Sequence, residues 1–252
     1  MKKTFAAIAT ALLLTASPVL AATDAPTPPD MQWPHHGVFS TYDKAALQRG
    51  FQVFKEVCAA CHALDHMHYR NLSGLGYSDA QIKALAAEYT VMDGPNDDGD
   101  MFERQARPAD KFVKPFANDK AARAVNNGAM PPDLSLIIKA RHNGEDYLYA
   151  LLTGYEDVPE GEEMLPGQYY NKYFPGHKLS MAPPLVDGLV TYSDGTSASL
   201  EQASRDVTQF LAWASEPYQD ERKQMGVKVI LYLLIFAGIL YAVKKKVWSD
   251  VH

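Results

Sequence analysis

The residues best equipped for chemistry lie in one short run, Val57-Cys58-Ala59-Ala60-Cys61-His62. Two thiols three residues apart fall on one face of a helical turn, and the imidazole follows directly. This C-x-x-C-H spacing is the one that attaches a c-type haem: the thiols add across the haem vinyl groups and the histidine coordinates the iron from one side. A structural zinc site would need further Cys or His ligands at similar spacing, and the chain has only 2 cysteines. A thioredoxin-like redox pair would not need the adjoining histidine and belongs near a βαβ pattern, which is absent here. One covalent haem c, held by Cys58 and Cys61 with His62 on the iron, is therefore the expected cofactor.

A haem that only passes electrons has both axial positions filled, and a thioether in the second raises the potential by favouring reduced iron. The chain has 9 methionines, so composition alone does not choose among them. Met1 would leave with a signal peptide, Met225 lies at the anchor, and Met67 is too near His62 in sequence to reach the opposite face. Met92, Met101, Met130, Met164 and Met181 stay open. Met181 is favoured because Pro183-Pro184 stiffens the loop that would press sulfur against iron.

The elements that must position these groups read mainly as helices. Leu47, Phe51, Phe54 and Val57 recur at helical spacing over about Thr41 to Val57, a helix that delivers Cys58. Ser78-Asp79-Ala80-Gln81 is a capping box opening a helix towards Tyr89. Asn118 can cap a short helix that Gly128 stops, and another helix runs from about Glu145 to Gly154. The last soluble helix starts near Ser199, with Leu200, Ala203, Val207, Phe210 and Ala214 along one side. Between these, Asp93 to Lys114 reads as irregular, Val190-Thr191-Tyr192 as a short strand, and His35-His36 as a solvated loop pair rather than metal ligands.

Both ends point to a membrane. Lys2 and Lys3, the apolar run Phe5 to Leu14, and Val19-Leu20-Ala21 form a signal-peptide pattern, giving 1–21 as a leader. Gly226 to Val243 is nearly unbroken apolar sequence, long enough to cross a bilayer at about 1.5 Å per residue. Lys244, Lys245 and Lys246 follow at once and place the tail in the cytoplasm. The expected division is therefore 1–21 signal, 22–221 exported haem domain, 222–246 anchor with flanks and 247–252 cytoplasmic tail. Residues 22–221 carry 16 basic and 29 acidic side chains, a net of −13, against +5 for 222–252. Such a domain repels nucleic acid and attracts a basic partner. With both cysteines committed to haem, no disulfide is left to brace it.

The ordered motifs resemble those of the bacterial cytochrome c1 family over essentially the whole mature chain. They are Arg49-Gly50-Phe51-Gln52-Val53 running into Cys58-Ala59-Ala60-Cys61-His62, then Asp93-Gly94-Pro95-Asn96, Asn126-Asn127-Gly128 and Pro131-Pro132-Asp133-Leu134-Ser135. Ala140-Arg141-His142, Gly144-Glu145-Asp146-Tyr147, Leu151-Leu152-Thr153-Gly154-Tyr155, Tyr173-Phe174-Pro175-Gly176 and Met181-Ala182-Pro183-Pro184 complete the set. The resemblance implies a mainly α protein: a cytochrome c-like haem domain with long insertions between His62 and Met181, plus one C-terminal transmembrane helix. It implies Cys58 and Cys61 as the haem attachment, His62 and Met181 as the two iron ligands, and Arg141 as the partner of a haem propionate. Asn126, Pro132, Tyr147 and Leu179 match pocket positions, while Gly50 and Phe54 match a first-helix pair packing on the last helix, here at Phe210 or Trp213.

The family resemblance also implies a role. The chain would be the electron-transfer subunit of the bc1 complex, not catalytic by itself, in a respiratory or photosynthetic chain. Its partners would be the cytochrome b subunit, the Rieske iron–sulfur protein, a soluble basic cytochrome c and the lipid bilayer, within a dimeric complex. It would sit in the cell inner membrane as a single-pass protein, haem domain periplasmic and C-terminus cytoplasmic. Some bacterial members brace the loop before the distal methionine with a disulfide, which this chain lacks, so aromatic and proline residues must hold it. A tethered haem sensor or peroxidase-like module would need an open sixth position, against which Met181 in its stiff loop speaks. A free membrane-anchored electron carrier is the nearer alternative.

Overall fold

The computed structural model describes residues 25–250, so the expected leader lies outside the described residues. Helices dominate: α1 (Lys44–Glu56), α2 (Asp79–Ala87), α3 (Asp119–Val125), α4 (Gly144–Thr153), α5 (Leu200–Ser215) and α6 (Gln219–Val247). Two antiparallel pairs accompany them, β1 (Thr90–Asp93) with β2 (Phe102–Gln105) and β3 (Tyr169–Tyr170) with β4 (Lys178–Leu179). The mainly α reading therefore holds.

Helix starts follow the capping chemistry. Asp43 accepts from the Ala45 amide, Ser78 from Gln81, Asn118 from Ala121 and Ser199 from Gln202. Each oxygen satisfies an amide that the first helical turn leaves without a partner. Asn127 and Gly128, at φ 49° and 86°, stop the chain after α3.

The domain is organised on the crossing of α1 and α5. Phe210 is fully buried, with ring centroids 5.6 Å from Phe51 and 5.7 Å from Phe54, and Trp213 stacks obliquely beside it at 6.0 Å. Gly50 lets the two backbones meet: a Cβ there would lie 2.1 Å from the Asp206 carbonyl oxygen and 2.7 Å from Phe210 Cβ. Arg49 closes the same crossing, donating from Nε at 2.8 Å and Nη2 at 3.2 Å to the buried Asp206 carboxylate and from Nη1 at 2.9 Å to Asp194. Gly50→Ala is expected to push the helices apart and cost about 1–3 kcal/mol, the usual range for overpacking. Chemical denaturation of the haem-loaded protein would show it as a lower midpoint.

Two expectations are corrected. The stretch after Asp93 is not wholly irregular: β1 and β2 pair from Thr90↔Gln105 to Asp93↔Phe102, and Asn96 closes the turn by accepting from the Asp98 and Asp100 amides. Its polar, Gly-rich tip masks a hairpin whose strands are only 4 residues each. Conversely, Val190-Thr191-Tyr192 forms no strand but lies against side chains of α1. Gln52 Nε2 donates to the Thr191 carbonyl at 3.0 Å, and the Arg49 guanidinium lies over the Tyr192 ring.

Arg104 binds Asp93 and, through two nitrogens at 2.6 and 2.9 Å, Asp110 beneath the hairpin. That guanidinium holds the Asp110 carboxyl down at about 2, against 3.8 for a free side chain. A depressed carboxylate stabilises the fold above its unfolded value and ceases to do so as pH falls through the folded one. Stability is therefore expected to drop between about pH 4 and pH 2, and Asp110→Asn should flatten that limb in acid melts.

The C-terminal helix α6 has 29 residues, a window of mean hydropathy 2.2 and no burial against the rest of the chain. At ~1.5 Å per residue it spans about 43 Å, more than a ~30 Å hydrocarbon core. Its first turns belong to the domain: Tyr42 donates from Oη to Gln219 at 2.8 Å and from its amide to Asp220 at 3.2 Å. The chain thus has one C-terminal helix long and apolar enough to cross a membrane.

Candidate haem-binding site

Helix α1 ends at Glu56 and the chain tightens into a 3₁₀ turn over Cys58–Ala60. The Cys61 and His62 amides both donate to the Cys58 carbonyl, at 3.1 and 2.8 Å. This folds the two thiols and the imidazole into one turn. Cys58 packs on the edge of the apolar core, and burial, with a smaller contribution from Cys61, pushes its thiol up to about 12. A dithiol redox pair depends on a lowered pKa, so this one is poorly suited to that chemistry.

His62 is oriented by the segment that crosses it. Its Nδ1 lies 2.8 Å from the Pro132 carbonyl oxygen. A carbonyl only accepts, so Nδ1 carries the proton and Nε2 keeps its lone pair for a metal. Burial lowers the His62 pKa, outweighing the pull of Pro132 and Asp133, which favours the neutral ring that coordination requires. The crossing is itself well tied. Leu134 donates to the Ala63 carbonyl, the Asp65 amide to Asp133 Oδ2, and the His66 amide to the buried Ser135 hydroxyl, at 2.9, 2.8 and 3.1 Å. Sequence reasoning placed Pro132 only as a pocket residue; its contribution is a main-chain oxygen, which no side-chain pattern announces.

Met67 lies buried in the core, Met92, Met101 and Met130 are exposed, and Met164 and Met181 are half-buried. Met181 follows β4, and its carbonyl accepts from the Tyr155 hydroxyl at 3.0 Å. The loop before it turns on Asn171, which is fully buried. Asn171 Nδ2 donates to the Leu151 carbonyl at 2.8 Å, and its Oδ1 accepts from the Tyr173 and Phe174 amides, both at 3.1 Å. Its amide donates to the His177 carbonyl at 2.9 Å, and the Tyr170 and His177 rings stack at 5.3 Å. Aromatic packing thus contributes, but the bracing of this disulfide-free loop centres on a buried amide that sequence reasoning did not single out. The run Asn171-Lys172-Tyr173-Phe174-Pro175-Gly176 was the available signal.

The remaining candidates occupy several surfaces. Arg141 is exposed, donates from Nη1 to the Ala140 carbonyl at 3.1 Å, and has no carboxylate within ion-pair distance among the described residues. Tyr147 beside it is half-buried, and burial raises its pKa although Arg141 pulls the other way. Asn126 folds back on α3, donating from Nδ2 to the Ala122 carbonyl at 2.7 Å. Leu179 is half-buried in β4.

The residues present fit a covalently attached haem: paired thiols in one tight turn, beside an imidazole locked as a neutral donor. A model of the Cytochrome C1 family matches residues 33–251. The chain is 49% identical over 235 residues to cytochrome c1 of Rhodospirillum rubrum, covering 87% of this chain and 86% of that protein. It is 49% identical over 222 residues to the mitochondrial heme protein cytochrome c1 1 of Arabidopsis thaliana, covering 88% and 72%. It is also 51% identical over 247 residues to cytochrome b/c1 of Bradyrhizobium diazoefficiens, where it covers 89% of itself and spans only 36% of the longer relative. The chain therefore belongs to the cytochrome c1 family, the haem-containing electron-transfer subunits of the bc1 complex.

Proposed function

We propose that Cys58 and Cys61 carry one haem c, that His62 and Met181 hold its iron, and that the chain relays electrons from a Rieske iron–sulfur protein to a soluble basic cytochrome c. Bound there, the haem supplies a one-electron site whose iron changes charge without changing ligands. The observation that carries this reading is the His62 imidazole, held by the Pro132 carbonyl in the tautomer that coordinates, one residue beyond the thiol pair. Met181 is supported by its half-buried loop, fixed by Tyr155 on one side and Asn171 on the other. Arg141, whose guanidinium meets no carboxylate among the described residues, would pair with a propionate, and the Asn126, Pro132, Tyr147 and Leu179 side chains would shape the walls.

The surface charge supports the partner. Asp97, Asp98 and Asp100 at the tip of the β1–β2 hairpin, and Glu103 in β2, have no basic group within ion-pair distance among the described residues. In the second acidic loop Glu156 and Glu162 are met by Lys172 and Lys178, both at 3.5 Å, while Asp157, Glu160 and Glu163 are unpaired among the described residues. Such a field speeds encounter with a cationic carrier and makes the rate fall with salt. The triple lysine at the end of α6 supports a cytoplasmic C-terminus, hence a haem domain of residues 22–221 on the opposite, periplasmic side of the inner membrane. The cytochrome b subunit would pack on α6, whose apolar surface is uncovered by the rest of the chain.

Gentle detergent extraction from the native membrane tests the assembly. A b-type dihaem subunit and an iron–sulfur protein should come down with this chain. A haem protein that emerges alone in several detergents would instead favour a free anchored carrier.

A further inference from the structure

The expectation that His35 and His36 are a solvated pair holds for His36, which is exposed, and fails for His35. His35 is only 1% exposed, and its ring stacks on Tyr42 with centroids 4.3 Å apart. Both imidazoles converge on one carboxylate in the first turn of α4: His35 Nε2 lies 2.7 Å from Glu145 Oε1, and His36 Nε2 lies 2.7 Å from Oε2. The next residue, Asp146, clamps the same loop, accepting from Trp33 Nε1 at 2.7 Å and the Met31 amide at 3.2 Å.

We propose that His35, His36 and Glu145 form a Zn²⁺ site, separate from the haem, that ties the N-terminal loop to α4 at the base of the membrane anchor. The donor atoms of all three residues lie within 4.8 Å of one another. Two imidazoles and a carboxylate are a donor set that zinc accepts, with the fourth position left to water. Ligands at ~2.0–2.1 Å around a tetrahedral ion stand about 3.3 Å apart, so each 2.7 Å contact must open by roughly half an ångström. His36, with its side chain 56% exposed, can supply the movement at its own contact, while the contact with the 1% exposed His35 must open by a turn of the Glu145 carboxylate, whose side chain is 15% exposed. The same exposure provides an entry path and room for the water.

The Glu145 carboxylate only accepts, so without metal the His35 ring proton sits on Nε2; an ion bound there would displace that proton and leave Nδ1 protonated, a nitrogen with no partner among the described residues. The His35 carbonyl accepts from Gln219 at 3.3 Å and from Lys223 at the start of α6. An ion here would therefore stiffen the joint between domain and anchor.

The test uses the full haem-loaded chain in detergent, stripped with chelator, then titrated with Zn²⁺ by calorimetry and dialysed for metal analysis against its iron. One zinc per chain is expected, with affinity falling about tenfold or more in His36→Ala while the haem spectrum stays unchanged. His36 is exposed, so that variant should fold; Glu145→Gln should lose zinc as well. No zinc retained by the unaltered chain, or zinc bound equally well by His36→Ala, would overturn the site.

Discussion

Replacing Met181 with leucine is expected to abolish the low-spin, thioether-ligated spectrum and drop the potential by a few tenths of a volt, within the ~0.8 V that axial ligands command. Leucine conserves bulk and apolarity, so the loop should keep its packing while losing its only soft lone pair. The Tyr155 bond to this residue runs to the main-chain oxygen at 3.0 Å, which the substitution leaves in place. Fold loss is thus separable from ligand loss: an unchanged far-ultraviolet dichroism with a high-spin or carbon-monoxide-reactive spectrum is the expected pairing. A surviving thioether spectrum would move the ligand to another methionine. Met164, the other half-buried candidate, would be examined next.

The second large effect is expected at Asn171. Replacement by alanine strands the Leu151 carbonyl and the Tyr173 and Phe174 amides in a fully buried site. With roughly 1–3 kcal/mol for each buried group left without a partner, partly recovered by water, the loss should reach about 3–5 kcal/mol. The substitution also unties the loop that leads through β4 to Met181. Asn171→Ala should therefore lower the unfolding midpoint and make the haem open to external ligands, whereas Met181→Leu should do only the second. Asn171→Asp keeps the acceptor for the two amides but loses the donor to Leu151, and should fall between.

How legible these features were follows from where their determinants lie. The thiol–imidazole run, the helix starts at Ser78, Asn118 and Ser199 and the apolar anchor are local patterns that stand where the sequence indicates, whereas the Asp43 cap was not singled out. The Gly50 and Phe54 packing on Phe210 is a long-range contact, legible only through the family resemblance, since helical spacing marked Phe54 as apolar-face but not Gly50 and named no partner for either. The short strands were not legible: β1 and β2 each have 4 residues, and Val190–Tyr192, strand-like in composition, lies against α1, remote in sequence, rather than pairing with a strand. Least legible were main-chain partners such as the Pro132 carbonyl, and groups whose burial depends on tertiary packing. His35 looked solvated because nothing near it in sequence shows that Glu145 and Tyr42 enclose it.

The account rests most directly on electron flow through this one chain. In the purified complex, quinol would be added under single-turnover conditions while the c-type haem absorption is followed, then a soluble basic cytochrome c would be mixed in. The expected result is reduction of the c-type haem, then its reoxidation by the carrier at a rate that falls steeply with salt. A c-type haem that stays oxidised while quinol is consumed and soluble cytochrome c is reduced would contradict the account.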